Sequence, residues 1–161
     1  MGIVTITFNE VTPDEWLQMR EAVGFPLFER EMAQKALDGS LGVLGIRKDG
    51  MHIGMLRILG DGAYSFYLND VIIVPSFQRM GLGKWLINEA FEFVKNNYCK
   101  ETMFSISIFA NVMSKEFYEK VGFAVRKEIP MKVFVKGVQV GSRQECFNKE
   151  WKYKISEINT W

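Results

Sequence analysis

Apolar residues recur along this chain in two rhythms, one of period two and one near 3.6, and the switches between them lay out its elements. Ile3 to Phe8 alternates Ile, Thr and Val as a first strand does. Thr12-Pro13-Asp14-Glu15 then supplies an N-cap, a proline at the first helical position and acids in the first turn, so a helix starts there and runs to about Ala22. Val23-Gly24-Phe25-Pro26 breaks it, and Glu29 to Leu37 reads as a second short helix closed by Asp38-Gly39. Leu41 to Arg47, Met51 to Leu59 and Tyr64 to Val74 are strand-like runs joined through Lys48-Asp49-Gly50 and Asp61-Gly62, an antiparallel meander.

From Leu82 the apolar residues fall at 82, 85, 86, 90, 93 and 94, with Ile87 and Phe91 widening the stripe, which predicts a long helix ending at Asn96-Asn97. Thr102 to Phe109 alternates again. Strand, helix, strand implies a right-handed crossover, so this strand lies parallel to the one ending in Val74. A short helix starts near Met113 and stops at Gly122, Phe123 to Arg126 begins another strand, and Met131 to Val140 reads as one more, broken by Gly137. The fold class is α/β (α+β), with a mixed, mostly antiparallel sheet flanked by helices.

Composition narrows the picture. With 161 residues, 48% of them apolar, the chain has material for one domain and a real core. That domain is placed at residues 1–140. The tail, 141–161, is rich in lysine and carries Phe147, Trp151, Tyr153 and Trp161, and it is expected to pack on the domain or on a second copy in a homodimer. Lys and Arg total 20 against 19 for Asp and Glu, so no basic field calls for nucleic acid or an anionic membrane. The N-terminus lacks a charged stretch followed by a long apolar core, and no apolar run reaches about eighteen residues, so a soluble, cytoplasmic protein is expected. Cys99 and Cys146 stand far apart without partners at metal-ligand spacing, which reads as two free thiols in a reducing compartment and no metal.

The chemistry gathers between Asp70 and Leu86. A β-branched run, Val71 to Val74, stops at Pro75 and passes through a polar turn, Gln78 to Gly83, into the long helix. A helix that starts from a tight turn leaves its first backbone N–H groups unpaired, and these add to the positive end of the helix dipole. Such a turn suits an anion, with Gly81 and Gly83 carrying no side chain to hold a phosphate away, and Arg79 and Lys84 adding charge. A P-loop requires Ser or Thr after Lys84, where Trp85 stands, and a dinucleotide fingerprint requires glycine at Leu86. Both fail. An ordinary strand-to-helix turn with two glycines placed for steric reasons stays open.

The run Gln78-Arg79-Met80-Gly81-Leu82-Gly83 after a strand ending in Val74-Pro75 resembles motif A of the GNAT (Gcn5-related) acetyltransferases. Asn111, Tyr118 and Gly122-Phe123 match the spacing of that family's motif B, with Ser114 where alanine is common. Asp70-Val71-Ile72-Ile73-Val74-Pro75, with Gly60-Asp61-Gly62 upstream, looks like a bacterial branch of small-molecule acetyltransferases. The resemblance implies acetyl-coenzyme A as cosubstrate, with its pyrophosphate on the N–H groups of Gln78, Arg79, Met80, Gly81, Leu82, Gly83 and Lys84. It also implies a pantetheine arm along the backbone of Ile72, Ile73 and Val74, and contacts from Asn111, Ser114, Phe117 and Tyr118.

Transfer to an amine further needs a proton for the leaving thiolate and a way to neutralise the incoming ammonium. Tyr118 is the candidate acid, since a phenol with pKa near 10 is protonated at neutral pH and can donate to a thiolate whose acid has a pKa of about 8.5. An alkyl amine is only about 0.04% neutral at pH 7, a cost of about 4.6 kcal/mol, so a base or water route is expected. Where some family members carry a glutamate base, this chain has Tyr67. Asp70, the nearest carboxylate on that strand, is either base or amine ligand, or else the residue that fixes a bulge in the strand. His52, the sole histidine, reads first as structural and second as a base. Asp61 reads as a turn former. Gly24 to Phe28 either tucks onto the core or, with Phe66 to Asn69 and the C-terminal strand, walls an acceptor pocket, whose aromatic residues favour an apolar or aromatic amine over a polyamine. A small-molecule or peptide amine is the expected acceptor. The rival reading is a catalytically silent coenzyme A-binding regulator of the same fold.

Overall fold

A computed structural model describes residues 2–126. Among the described residues five strands, β1 (Val4–Phe8), β2 (Gly42–Lys48), β3 (Met51–Gly60), β4 (Ser65–Ile73) and β5 (Ser105–Ile108), form one sheet in sequence order. The first three neighbour pairs are antiparallel and β4 pairs with β5 in parallel, as the crossover requires. The helices are α1 (Pro13–Ala22), α2 (Arg30–Asp38), α3 (Leu82–Asn97) and the short α4 (Lys115–Lys120).

The start of α1 is fixed by a capping box. The Thr12 hydroxyl accepts from the Glu15 N–H at 3.3 Å, and the Glu15 carboxylate accepts from the Thr12 N–H at 2.9 Å. Asp61 acts as the turn former expected, its Oδ1 accepting from the N–H groups of Ala63, Tyr64 and Ser65.

The sheet separates two cores. Leu44, Ile46, Leu56 and Ile58 face Leu86, Ile87, Ala90 and Val94 of α3, while Val43 and Met55 face Trp16 and Met19 of α1 and Ala33 and Leu37 of α2. Neighbouring residues of β2 and β3 thus serve opposite cores, as period-two alternation demands. Among the described residues no helix is long and apolar enough to cross a membrane.

Two boundaries differ from the sequence reading. The strand at 102–109 contracts to four residues, and Phe123 to Arg126, expected to open a strand, is irregular. Phe123 is held instead by aromatic packing, 5.8 Å from Phe91 and 5.8 Å from Tyr118 between ring centroids. The strand expected at 131–140, the second cysteine and the tail at 141–161 lie outside the described residues. Cys99 is a buried free thiol that donates to the Ala63 carbonyl.

Candidate active site

In β4 the pairing register slips. Asn69 stands opposite Arg57 and Ile72 opposite Met55, so Asp70 and Val71 together face the single residue Leu56. This is a β-bulge, and Asp70 takes its left-handed position at φ +50°. The extra residue reverses the strand's phase: Leu68 packs in the α3 core, whereas Ile72, an even number of residues on, packs in the α1/α2 core.

Past the bulge the sheet opens. Pairing between β4 and β5 ends at the rung Leu68–Ile108, so the β4 edge from Asn69 to Ile73 faces no strand among the described residues. The Val74 N–H donates to Ile53 of β3 at 2.9 Å. Backbone groups alternate in direction along a strand, so Ile72 and Val74 turn theirs to β3 and Ile73 turns its own to the open side. Of the three residues expected to present main-chain groups, the geometry selects Ile73.

An ion triad anchors the bulge. Asp70 accepts from Arg57 Nε at 2.8 Å through one oxygen and from Arg20 Nη1 through the other. Arg57 also donates to the Ala36 carbonyl at 3.0 Å and lies over the Trp16 ring. Arg20 Nε and Nη2 both donate to the Pro26 carbonyl, and its guanidinium covers the rings of Phe28 at 4.7 Å and Phe25 at 5.4 Å. Burial pulls the Arg20 guanidinium below its ordinary pKa; Asp70 opposes that shift, and the Arg57 charge adds to it. With both carboxylate oxygens engaged by guanidinium groups, Asp70 is placed to hold the bulge and the 24–28 loop, which leaves the base role without a free oxygen. In the loop Phe28 packs on Trp16, as the core reading expects, while Phe25 and Leu27 stay exposed.

The anion turn forms as a short 3₁₀ turn at Pro75–Phe77 followed by Gly81 at φ +82° as N-cap of α3. No side chain caps this 16-residue helix and no acid stands in its first turn, so the N–H groups of Leu82, Gly83 and Lys84 stay open to an anion. Arg79, Met80 and Lys84 are exposed around them. Two expected contributors behave differently. The Gln78 N–H is spent on Pro75, and its side-chain amide donates to the outward-facing Ile73 carbonyl at 2.8 Å. At Gly83 a Cβ would meet Phe117 Cζ at 3.1 Å and Ile73 at 3.8 Å, so the missing side chain serves close packing of α3 on α4 and β4, while the N–H of the same residue stays with the turn.

Phe117 and Tyr118 of α4 pack against the α3 core with ring centroids 5.0 Å apart. Burial pushes the Tyr118 phenol up to about 12, which keeps it protonated at any working pH. Asn111 caps the entry to this segment, its Oδ1 accepting from the Ser114 N–H at 2.8 Å, while the Ser114 hydroxyl donates back to the Asn111 carbonyl.

His52 lies elsewhere, held between Thr7 Oγ1 and Glu15 Oε1 at 2.9 Å each, with a fully buried ring. The lack of a side chain at Gly45 lets Thr7 and His52 meet across β2. Desolvation raises the Glu15 pKa, but hydrogen bonds from Thr12 and His52 outweigh it and hold the carboxyl below its ordinary range. Among the described residues no group of three His, Cys, Asp or Glu side chains could hold a metal ion.

The family model described as acetyltransferase (GNAT) family matches residues 8–123. A Glycine max protein named histone acetyltransferase TAP1 is 33% identical over 76 residues, covering 47% of this chain and 31% of its own length. The chain thus spans about a third of that relative. Among solved structures, a probable acetyltransferase of unknown function from meticillin-resistant Staphylococcus aureus superposes with a TM-score of 0.73 at 24% identity, covering 84% of this chain and 100% of that one. An aminoglycoside N-acetyltransferase in complex with CoA gives 0.65 at 15% identity, covering 82% and 95%.

Proposed function

The chain belongs to the acetyltransferase (GNAT) family, and from that premise we propose that it is an acetyl-coenzyme A-dependent N-acetyltransferase acting on the primary amine of a small molecule or peptide by direct attack. The observation that carries this reading is the open edge of β4 beside a bulge, ending at a helix N-terminus that no side chain caps. A strand edge with unpaired groups suits an extended amide-bearing arm, and the bare N–H groups of Leu82, Gly83 and Lys84 suit a pyrophosphate.

In this mechanism Ile73 binds the arm through its outward N–H, and Arg79 and Lys84 balance the phosphate charge. The amine nitrogen attacks the thioester carbonyl carbon, the C–S bond breaks, and Tyr118 gives its phenolic proton to the departing sulfur. The ammonium sheds one proton to water before attack, because Asp70 has both oxygens on arginines, and the nitrogen sheds a second after attack, which returns through water to the Tyr118 oxygen. The balance is one amide, one thiol and one released proton. Neither cysteine lies in either sequence motif, so no covalent acyl-enzyme is invoked, and the setting is cytoplasmic.

The test is coenzyme A release from acetyl-coenzyme A, followed by mass across a panel of amines, amino acids and peptides. Amine-dependent release supports the enzyme. Tight binding of acetyl-coenzyme A without release by any amine would favour a silent regulator of the same fold, and absence of binding would sink both.

A further inference from the structure

Tyr67 and Phe109 form an exposed ring pair at the apex of the open wedge, with centroids 5.9 Å apart and planes inclined by 20°. Tyr67 lies on β4 opposite Ser107, and Phe109 is the first residue past β5, two beyond Ser107. Side chains two apart on a strand share a face, so Phe109 leans diagonally onto Tyr67 across the last paired rung, Leu68–Ile108. Because Phe66 and Leu68 point into the α3 core, Tyr67 points to the face that carries α1, Arg20 and the 24–28 loop.

The core does not require these rings. Tyr67 is 41% and Phe109 71% exposed, which leaves open aromatic surface at the point where the sheet parts. On the same face, Arg57 stands opposite Asn69, two residues from Tyr67, in a triad with two arginines to one aspartate. A polycation would be repelled there, whereas a flat ring would extend the stack.

We propose that Tyr67 and Phe109 are the specificity-determining residues of the acceptor site, and that they select primary amines with an aromatic ring close to the nitrogen over aliphatic amines and polyamines of similar size. This rests on the acetyl-transfer reading for the location of the acceptor, but its test does not depend on turnover.

The test is calorimetric titration of 2-phenylethylamine, hexylamine and spermidine into the full-length chain, with and without saturating coenzyme A, repeated on Tyr67→Ala, Phe109→Ala and Tyr67→Phe. The aromatic amine is expected to bind about three- to tenfold tighter than hexylamine, the scale of one added ring stack. That preference is lost in both alanine variants and kept in Tyr67→Phe, whose ring still stacks, while coenzyme A affinity is unchanged throughout. Equal binding of the aromatic and aliphatic amines, no binding of the aromatic amine, or a preference that survives both alanine changes overturns the proposal. Coenzyme A release, measured separately, decides transfer. Aromatic preference without release refutes the enzyme and leaves the ring pair standing, and release without aromatic preference does the opposite.

Discussion

Arg20 and Asp70 stand 50 residues apart in sequence and share one buried ion pair, through which the loop after α1 is tied to the bulge of β4. Because Arg20 also holds the Pro26 carbonyl, the pair ties a candidate acceptor wall to the strand that carries the candidate thioester site. Asp70→Asn would leave Arg20 and Arg57 facing each other without their shared anion, a loss of about 3–5 kcal/mol for a broken buried pair. The expected result is a fall in Tm on the order of 10 °C. If Asp70 were instead a simple base, the variant would lose turnover by orders of magnitude and keep its Tm, and thermal unfolding beside steady-state kinetics separates the two.

Tyr118→Phe should lower kcat by about 10- to 100-fold with little change in the KM for acetyl-coenzyme A, because the ring packing survives and only the proton donor is lost. Since burial holds the phenol up at about 12, neither parent nor variant should show a falling alkaline limb from this group below about pH 10. The stability sign follows from the same shift. The unfolded phenol ionises near pH 10 and the folded one near 12, so the contribution is complete below about pH 10 and drains away as pH rises through about 12. Tyr118→Phe should therefore lose less stability than the parent across that window, measured by denaturant midpoints.

The two motif glycines should fail in different ways. Gly81→Ala meets no atom within 4 Å but must hold φ at +82°, a strain of about 1 kcal/mol. Gly83→Ala presses on Phe117 at 3.1 Å and should cost about 1–3 kcal/mol by overpacking. Because Phe117 adjoins Tyr118, the second variant should also lower kcat, whereas the first should mainly weaken acetyl-coenzyme A binding. Parallel measurement of Tm, Kd and kcat checks this, and identical profiles would contradict it.

On the acid side, Glu15 is the group to watch. Its folded pKa lies below the ordinary value of 4.5, so its contribution is present above that value and is lost as pH falls through the lowered one. Glu15→Gln should be less stable than the parent near neutrality and should show a shallower acid decline. Urea midpoints between about pH 3 and 6 give the comparison, and parallel curves would show that Glu15 is not linked to folding.

The sequence made the elements readable where local signals agree with tertiary structure. Thr12-Pro13-Asp14-Glu15 marks the start of α1 to the residue, the Asp-Gly pairs mark the turns of the meander, and the apolar stripe from Leu82 marks α3. The turn at Gly81 was legible for the same reason, because a glycine between strand and helix carries its own conformational argument. Asp70 was legible only as a carboxylate on the right strand, since nothing in the chain near position 70 announces Arg20, and only folding brings them together. Gly83 was half legible, as its spacing suggests a phosphate turn but nothing nearby in sequence shows that its missing Cβ also makes room for Phe117. Phe123 shows the same limit: an apolar alternation reads as a strand, but its ring is taken up by Phe91 and Tyr118. The Tyr67–Phe109 stack was invisible because it depends on where β5 ends.

The reversal of phase in β4 makes chain length at residues 69–71 a coding property in its own right. Deleting one residue there would leave every following side chain chemically intact and turn each to the wrong side, sending Ile72 toward α3 and Ile73 toward α1. Many single exchanges in this segment should be survivable, whereas a one-codon insertion or deletion should not. A library of in-frame length variants, scored for soluble expression, would therefore show a sharp gap at these three positions, even against the neighbouring strands.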